Sequence, residues 1–183
     1  MPSADCLINL KKKGQGNYTR ARAYCGHTYI GIYYFEGSKP VWVANRHDAL
    51  IHSSEGLVID SYDGNLKILQ DWGNPIAVIS VQGAKNTVAT PLDSGNFVLR
   101  EINSNGTKGR VLWQSFDYPT DTLLPGMKLR FNLKTGHTWF LQSWITNDSP
   151  EPGSYTLGMN PNVTNQLIVS WLEEREFYWT IGL

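Results

Sequence analysis

This sequence predicts an all-β domain of three similar small units, and three observations carry the prediction. Turn formers and aromatics are abundant, with 17 Gly, 9 Pro, 7 Trp and 9 Tyr in 183 residues, while only 17 % of the chain is charged. That balance favours short strands and tight corners over charge-laced helices. Apolar runs are short, Tyr29 to Phe35 being typical of the longest, so strands fit where a bilayer span of about 20 residues does not. The third observation is an internal repeat.

Residues 1–27 open the chain. The stretch Lys11-Lys-Lys-Gly-Gln-Gly-Asn-Tyr-Thr-Arg-Ala-Arg22 is polar, and without a period-2 pattern it is expected to form a solvated, disordered tail. Met1-Pro-Ser-Ala-Asp-Cys6 has no basic segment leading into an apolar one, so no signal peptide is read there. The two cysteines, Cys6 and Cys25, are either a disulfide formed in an oxidising compartment or two separate thiols.

The repeat follows. Asp63-Gly-Asn-Leu-Lys-Ile-Leu69 and Ser94-Gly-Asn-Phe-Val-Leu-Arg100 each begin on a Gly-Asn turn and run into an apolar strand, Asn65 and Asn96 lying 31 positions apart. Second strands come after them, Asn74 to Ser80 and Val111 to Ser115. An upstream copy reads Tyr29-Ile-Gly-Ile-Tyr-Tyr34, then Lys39-Pro-Val-Trp-Val-Ala-Asn45. Aligning the second strands makes Trp42, Ala77 and Trp113 equivalent. One such unit cannot bury its own apolar face, but three can do so around a shared axis. Trp42 and Trp113 are therefore expected as core aromatics meeting at the centre, and Ala77 predicts a void or a neighbour that fills it.

Charge excludes some partners. Lys+Arg and Asp+Glu balance at 16 each, which leaves no net field for nucleic acid or an anionic membrane. Four sequons begin at Asn17, Asn105, Asn147 and Asn162. Three of them lie in turn-rich context, as expected of a secreted, glycosylated surface.

These residues resemble the bulb-type mannose-binding lectin domain, in the form found in plant G-type lectin S-receptor-like kinases and S-locus glycoproteins. The resemblance is carried by Tyr29 to Tyr34, Val41-Trp-Val-Ala-Asn-Arg46, Asp63-Gly-Asn-Leu66 and Leu92 to Glu101. Its strongest stretch is Leu112-Trp-Gln-Ser-Phe-Asp-Tyr-Pro-Thr-Asp-Thr-Leu-Leu-Pro-Gly-Met-Lys-Leu129, with Ser143-Trp144, Pro150 to Ser154, Gln166 to Val169 and Tyr178-Trp179 beyond. It implies a β-prism II of three short antiparallel sheets with pseudo-threefold symmetry, spanning residues 28–118. It also implies that residues 119–183 start a truncated S-locus glycoprotein region, with 116–130 as the connection. The family's early strands have no counterpart ahead of Tyr29, so the first sheet is expected to be incomplete, with an unpaired edge. The related receptors carry a kinase that is not expected here. The implied location is extracellular, or the ectodomain side of the plasma membrane.

Mannose-binding members carry Gln-x-Asp-x-Asn-x-Val-x-Tyr in each repeat: amide and carboxylate groups meet adjacent hydroxyls, Val packs on the sugar's carbons, and Tyr donates from the rim. The middle repeat here reads Ser61, Asp63, Asn65, Lys67, Leu69. The last reads Leu92, Ser94, Asn96, Val98, Arg100, and the first Cys25, His27, Tyr29, Gly31, Tyr33. No copy is complete. Degenerate carbohydrate positions are thus expected at Asp63, Asn65, Ser94, Asn96 and Val98, with turn formation as the competing role of the polar ones.

Two classes of function follow: a carbohydrate-recognition module for mannose-type glycans or glycoproteins, or a protein-interaction module serving receptor homo- or hetero-dimerisation. No membrane segment is expected. No catalytic residue, cofactor or metal is expected either. His47 and His52 lack a third ligand at suitable spacing, and Tyr62 and Gly64 interrupt the calcium-loop pattern of Asp60 to Asp71.

Overall fold

The computed structural model describes residues 18–24, 27–33, 39–50, 56–69, 73–163, 165–172 and 176–182. The first sheet is built from β1 (Tyr18–Tyr24), β2 (His27–Tyr33) and β3 (Pro40–Val43). β4 (Gly56–Ile59), β5 (Leu66–Leu69) and β6 (Ile76–Ala77) make the second; β7 (Thr87–Pro91), β8 (Phe97–Ile102) and β9 (Lys108–Gln114) make the third. All pairings are antiparallel, with the middle strand of each trio at the centre. A 3-10 turn, Ser115–Asp117, leads out of the third sheet.

The sequence dictates this arrangement locally. Gly64 and Gly95 adopt φ of 68° and 84° in the Asp-Gly-Asn and Ser-Gly-Asn turns, a left-handed conformation cheap for glycine alone. Beyond each turn, alternate residues of the central strand face one core: Ile30 and Ile32, Leu66 and Ile68, Phe97 and Leu99. The hub is aromatic. Trp42 meets Trp113 edge-on with centroids 5.6 Å apart, and Phe97 lies 6.3 Å and 6.5 Å from the two. Both tryptophans are core residues, as the repeat implied.

Register corrects the repeat by one position. Trp42 pairs with Ile32 and Trp113 with Leu99, but the partner of Ile68 is Ile76. Ile76 therefore takes the tryptophan position in the second unit, while Ala77 is exposed. The void expected from Ala77 does not arise there.

The first sheet departs from expectation too. The tail reading covers residues 1–27, yet 18–24 form β1 and pair with β2 along its length, from Tyr18↔Tyr33 to Tyr24↔His27. The first sheet therefore has three strands like the others, and the expectation of an incomplete one fails. The missed signal is local: Arg20 and Arg22 alternate with Thr19, Ala21 and Ala23, a period-2 pattern hidden by small and charged residues. Cys6 and Cys25 lie outside the described residues.

Past the third sheet, the segment expected as a connection packs onto the core. Leu124 joins the buried cluster and Met127 lies against it, while Trp42 Nε1–H donates to the carbonyl of Tyr118 at 2.9 Å. A two-stranded ladder, β10 (Arg130–Phe131) with β11 (Thr138–Trp139), precedes a four-stranded sheet. That sheet comprises β12 (Leu141–Thr146), β13 (Ser149–Met159), β14 (Gln166–Trp171) and β15 (Glu176–Gly182). Among the described residues no helix is long and apolar enough to cross a membrane.

Arg46, 6 % exposed, pins the four-stranded sheet to the three-sheet unit. Its Nε donates to the carbonyl of Pro150 at 2.5 Å, Nη1 to Gln142 at 3.1 Å, and Nη2 to Ser143 at 2.7 Å and Glu151 at 3.4 Å. Burial lowers the guanidinium's pKa, an effect that Asp121 counters. Arginine remains charged regardless. Four carbonyls left without this donor would each be poorly solvated, so Arg46→Met is expected to cost about 3 kcal/mol. Hydrogen exchange checks the mechanism: protection should fall first in β12 and β13 and persist in β5 and β8. A uniform loss across all strands would contradict the pinning role.

Candidate functional site

Of the described motif positions, His27, Tyr29, Gly31 and Tyr33 lie on β2, Lys67 and Leu69 on β5, and Val98 and Arg100 on β8, while the others sit ahead of β5 and β8. Those on the strands alternate with the inward residues and so lie on the opposite face of each strand. That is the face on which the family pattern would read a sugar. Each copy is closed by a different device.

In the middle copy Lys67, standing where the mannose pattern has Val, places Nζ 2.6 Å from Asp60 Oδ2 and 2.7 Å from Asp63 Oδ2. The other carboxylate oxygens accept backbone N–H groups, Asp60 Oδ1 from Tyr62 at 2.7 Å and Asp63 Oδ1 from Asn65 at 2.9 Å. Hydrogen bonding to Lys67, then to these amides, holds both carboxylates below the ordinary aspartate pKa. The two carboxylates, Asp60 first, raise that of Lys67. Asn65 is buried and faces inward along the chain: its Oδ1 accepts from Val81 N–H at 2.8 Å, and Nδ2 donates to the Val81 carbonyl at 3.4 Å.

The last copy is closed by amides. Asn96 Nδ2 donates to Gln114 Oε1 at 3.0 Å, while its Oδ1 accepts from Ser115 Oγ–H at 3.3 Å and Phe116 N–H at 3.4 Å. Ser94 Oγ accepts from Asn96 N–H at 3.4 Å. Val98 is 1 % exposed, so it has no surface left to offer a ligand. In the first copy Tyr29 is buried and donates its hydroxyl to Glu151 Oε1 at 2.8 Å. Gly31 replaces the valine at a place where a Cβ would stand 2.6 Å from the Trp42 carbonyl oxygen and 3.0 Å from Pro40 Cβ.

Sequence reading missed Asn45 and Arg46 as individuals, although both fall in the Val41–Arg46 stretch. Asn45 Oδ1 accepts from Ile30 N–H at 2.8 Å and Nδ2 donates to the carbonyls of Thr28 and Asp48. Two adjacent polar residues following the apolar run 40–44 were the available signal.

Among the sequons, Asn105, Asn147 and Asn162 are exposed at chain reversals. Asn105 Oδ1 accepts from both Thr107 Oγ–H at 2.6 Å and Thr107 N–H at 3.0 Å. Asn17 lies outside the described residues. No cluster of three or more His, Cys, Asp or Glu that could hold a metal occurs among the described residues.

Comparison with known proteins agrees with this architecture. The family model described as D-mannose binding lectin matches residues 39–145. The chain is 47 % identical over 157 residues to the G-type lectin S-receptor-like serine/threonine-protein kinase CES101 of Arabidopsis thaliana, covering 85 % of this chain and 18 % of that protein. It is 44 % identical over 162 residues to the similarly named At1g67520 of the same plant, covering 87 % and 19 %. To the S-locus-specific glycoprotein BS29-2 of Brassica oleracea var. alboglabra it is 43 % identical over 133 residues, covering 70 % and 30 %. The chain thus spans about a fifth of the length of the two kinase-named relatives. With a lectin family matched over more than half its residues and an all-β architecture of small antiparallel sheets, the chain belongs to the D-mannose binding lectin family.

Proposed function

We propose that this chain is a carbohydrate-recognition module of a receptor-type ectodomain in which the surviving polar positions of the mannose motif, Asp63, Asn65 and Asn96, have become structural. The observation that carries the reading is the fate of the polar groups. Lys67 neutralises Asp63 in the middle copy, and the Asn65 and Asn96 amides bind the chain's own backbone and side chains. A sugar hydroxyl binds well only where it finds donors and acceptors not already satisfied, and a site whose polar groups are engaged elsewhere loses most of its discrimination. The names of the relatives place their lectin-type regions in receptors and S-locus glycoproteins, which supports an ectodomain setting for this chain.

Titration of the folded protein with methyl α-D-mannopyranoside, followed by backbone amide NMR, tests this. No saturable shift is expected at Asp63 to Leu69 or Ser94 to Arg100 up to about 10 mM, an affinity weaker than about −2.7 kcal/mol. A saturable shift at those amides that disappears in Asp63→Ala would overturn the reading.

The Asp60–Lys67–Asp63 triad makes a separate prediction. Both carboxylates sit below their ordinary pKa, so their stabilising contribution is present above the ordinary aspartate range and is lost as pH falls through the depressed folded values. Lys67, raised, keeps its contribution below the ordinary lysine value and loses it only at more alkaline pH. Lys67→Met should therefore lower the urea midpoint at neutral pH, and the gap to the parent should close toward about pH 3. A gap that is absent at neutral pH, or constant with pH, would mean the triad is not formed in solution.

A further inference from the structure

A cleft of about 740 Å³ lies where the three-sheet unit meets β11 and β12, and it contains none of the motif positions. Its walls are aromatic. Trp42 and Trp113 line it from the core side, and Tyr118 stacks on Trp113 with centroids 5.4 Å apart and planes 18° from parallel. Tyr118 is 57 % exposed, so this stack ends in a ring open to solvent. Trp139 and Phe140 also line the cleft. Trp139 is held by Arg130, whose guanidinium lies 4.0 Å from its ring centroid, and by the edge-on ring of His137 at 4.2 Å.

The lining carries polar groups, and its one carboxylate and its one guanidinium are both engaged. Asp117 pairs with Arg130 at 3.2 Å and accepts from Gln114 Nε2 at 3.0 Å. Arg46, which also contributes, is committed to four carbonyl oxygens. His47 and Ser80 supply hydrogen-bonding groups beside the aromatic surfaces. A volume of this size suits a small ligand. Flat apolar rings next to polar groups match a molecule with an apolar face and a hydroxylated edge, whereas a cationic ligand would find Asp117 already paired and an anionic one would find Arg46 already committed.

We infer that this cleft binds an uncharged pyranoside, a terminal sugar or short oligosaccharide, with Tyr118 as the stacking platform and His47 and Ser80 reading hydroxyls. The ligand class rests on the function proposed above, whereas the location rests on the cleft alone. The cleft would give the module a sugar site independent of the family's motif.

The test uses the whole chain with three probes: methyl α-D-mannopyranoside, methyl β-D-glucopyranoside and cellobiose. Indole N–H signals of Trp113 and Trp139 report on the cleft, and the amides of Asp63 to Leu69 report on the motif. At least one probe is expected to shift an indole signal saturably, with a Kd on the order of 1 mM. Tyr118→Ala should weaken it about tenfold, Tyr118→Phe should keep it within about twofold because the ring remains, and Asp63→Ala should leave it unchanged. Because the Tyr118 ring is largely exposed, an otherwise unchanged amide spectrum will establish that its variants fold. Absence of any saturable indole shift for all three probes up to about 50 mM overturns the cleft alone. Binding lost in Asp63→Ala and kept in Tyr118→Ala overturns both the cleft and the reading that the motif is structural.

Discussion

Everything in this chain depends on one packing constraint: sheets of three short strands cannot cover their own apolar faces. Two inward residues per central strand are far too few for a core, so the three sheets share one. The edge-on meeting of Trp42 and Trp113, with Phe97 against both, fills the axis where the sheets converge. Truncating any one of these rings would empty the space that the others use for support, at a cost of about 3–5 kcal/mol. The same junction holds the next region, because Trp42 donates its indole N–H to the Tyr118 carbonyl.

A second constraint follows from the first. Short strands end abruptly, and the chain beyond them needs an anchor that the backbone ladder does not supply. Each unit solves this with one buried asparagine that ties the head of the central strand to chain just past the third strand. Asn45 accepts from Ile30, Asn65 from Val81, and Asn96 from Phe116. In the first unit the asparagine sits at the far end of the link, after β3 rather than before β2, but the bridge it makes is the same. A side chain used in this way is not available to a ligand. The structural role and the sugar-binding role compete for the same amides, and in this chain the fold holds them.

Much of the fold was legible because its signals are periodic. The Gly-Asn turns, the alternating apolar strands and the two tryptophans at matching positions all report backbone geometry that recurs in each unit. Legibility failed where the signal was not apolar. Arg20 and Arg22 concealed the alternation of β1, and a one-residue offset in the second unit put Ala77 in the place that Ile76 occupies. At the candidate site the sequence exposed the losses, such as Lys67 for Val, but not their consequence. Only the three-dimensional arrangement brings Asp60 to the same ammonium as Asp63, or shows that Asn96 reaches Gln114 and Ser115. For Arg46 the sequence offered only a polar residue after an apolar stretch; its role was not legible, since its carbonyl partners lie about a hundred positions away.

The measurement that bears most directly on the account is the unfolding free energy of Asn65→Ala and Asn96→Ala. If these amides are links of the fold, each truncation leaves buried backbone groups without partners and should cost about 2 kcal/mol in urea. Values within about 0.5 kcal/mol of the parent are what a ligand-facing surface residue would give. That result would contradict the claim that the mannose motif of this chain has been turned into structure.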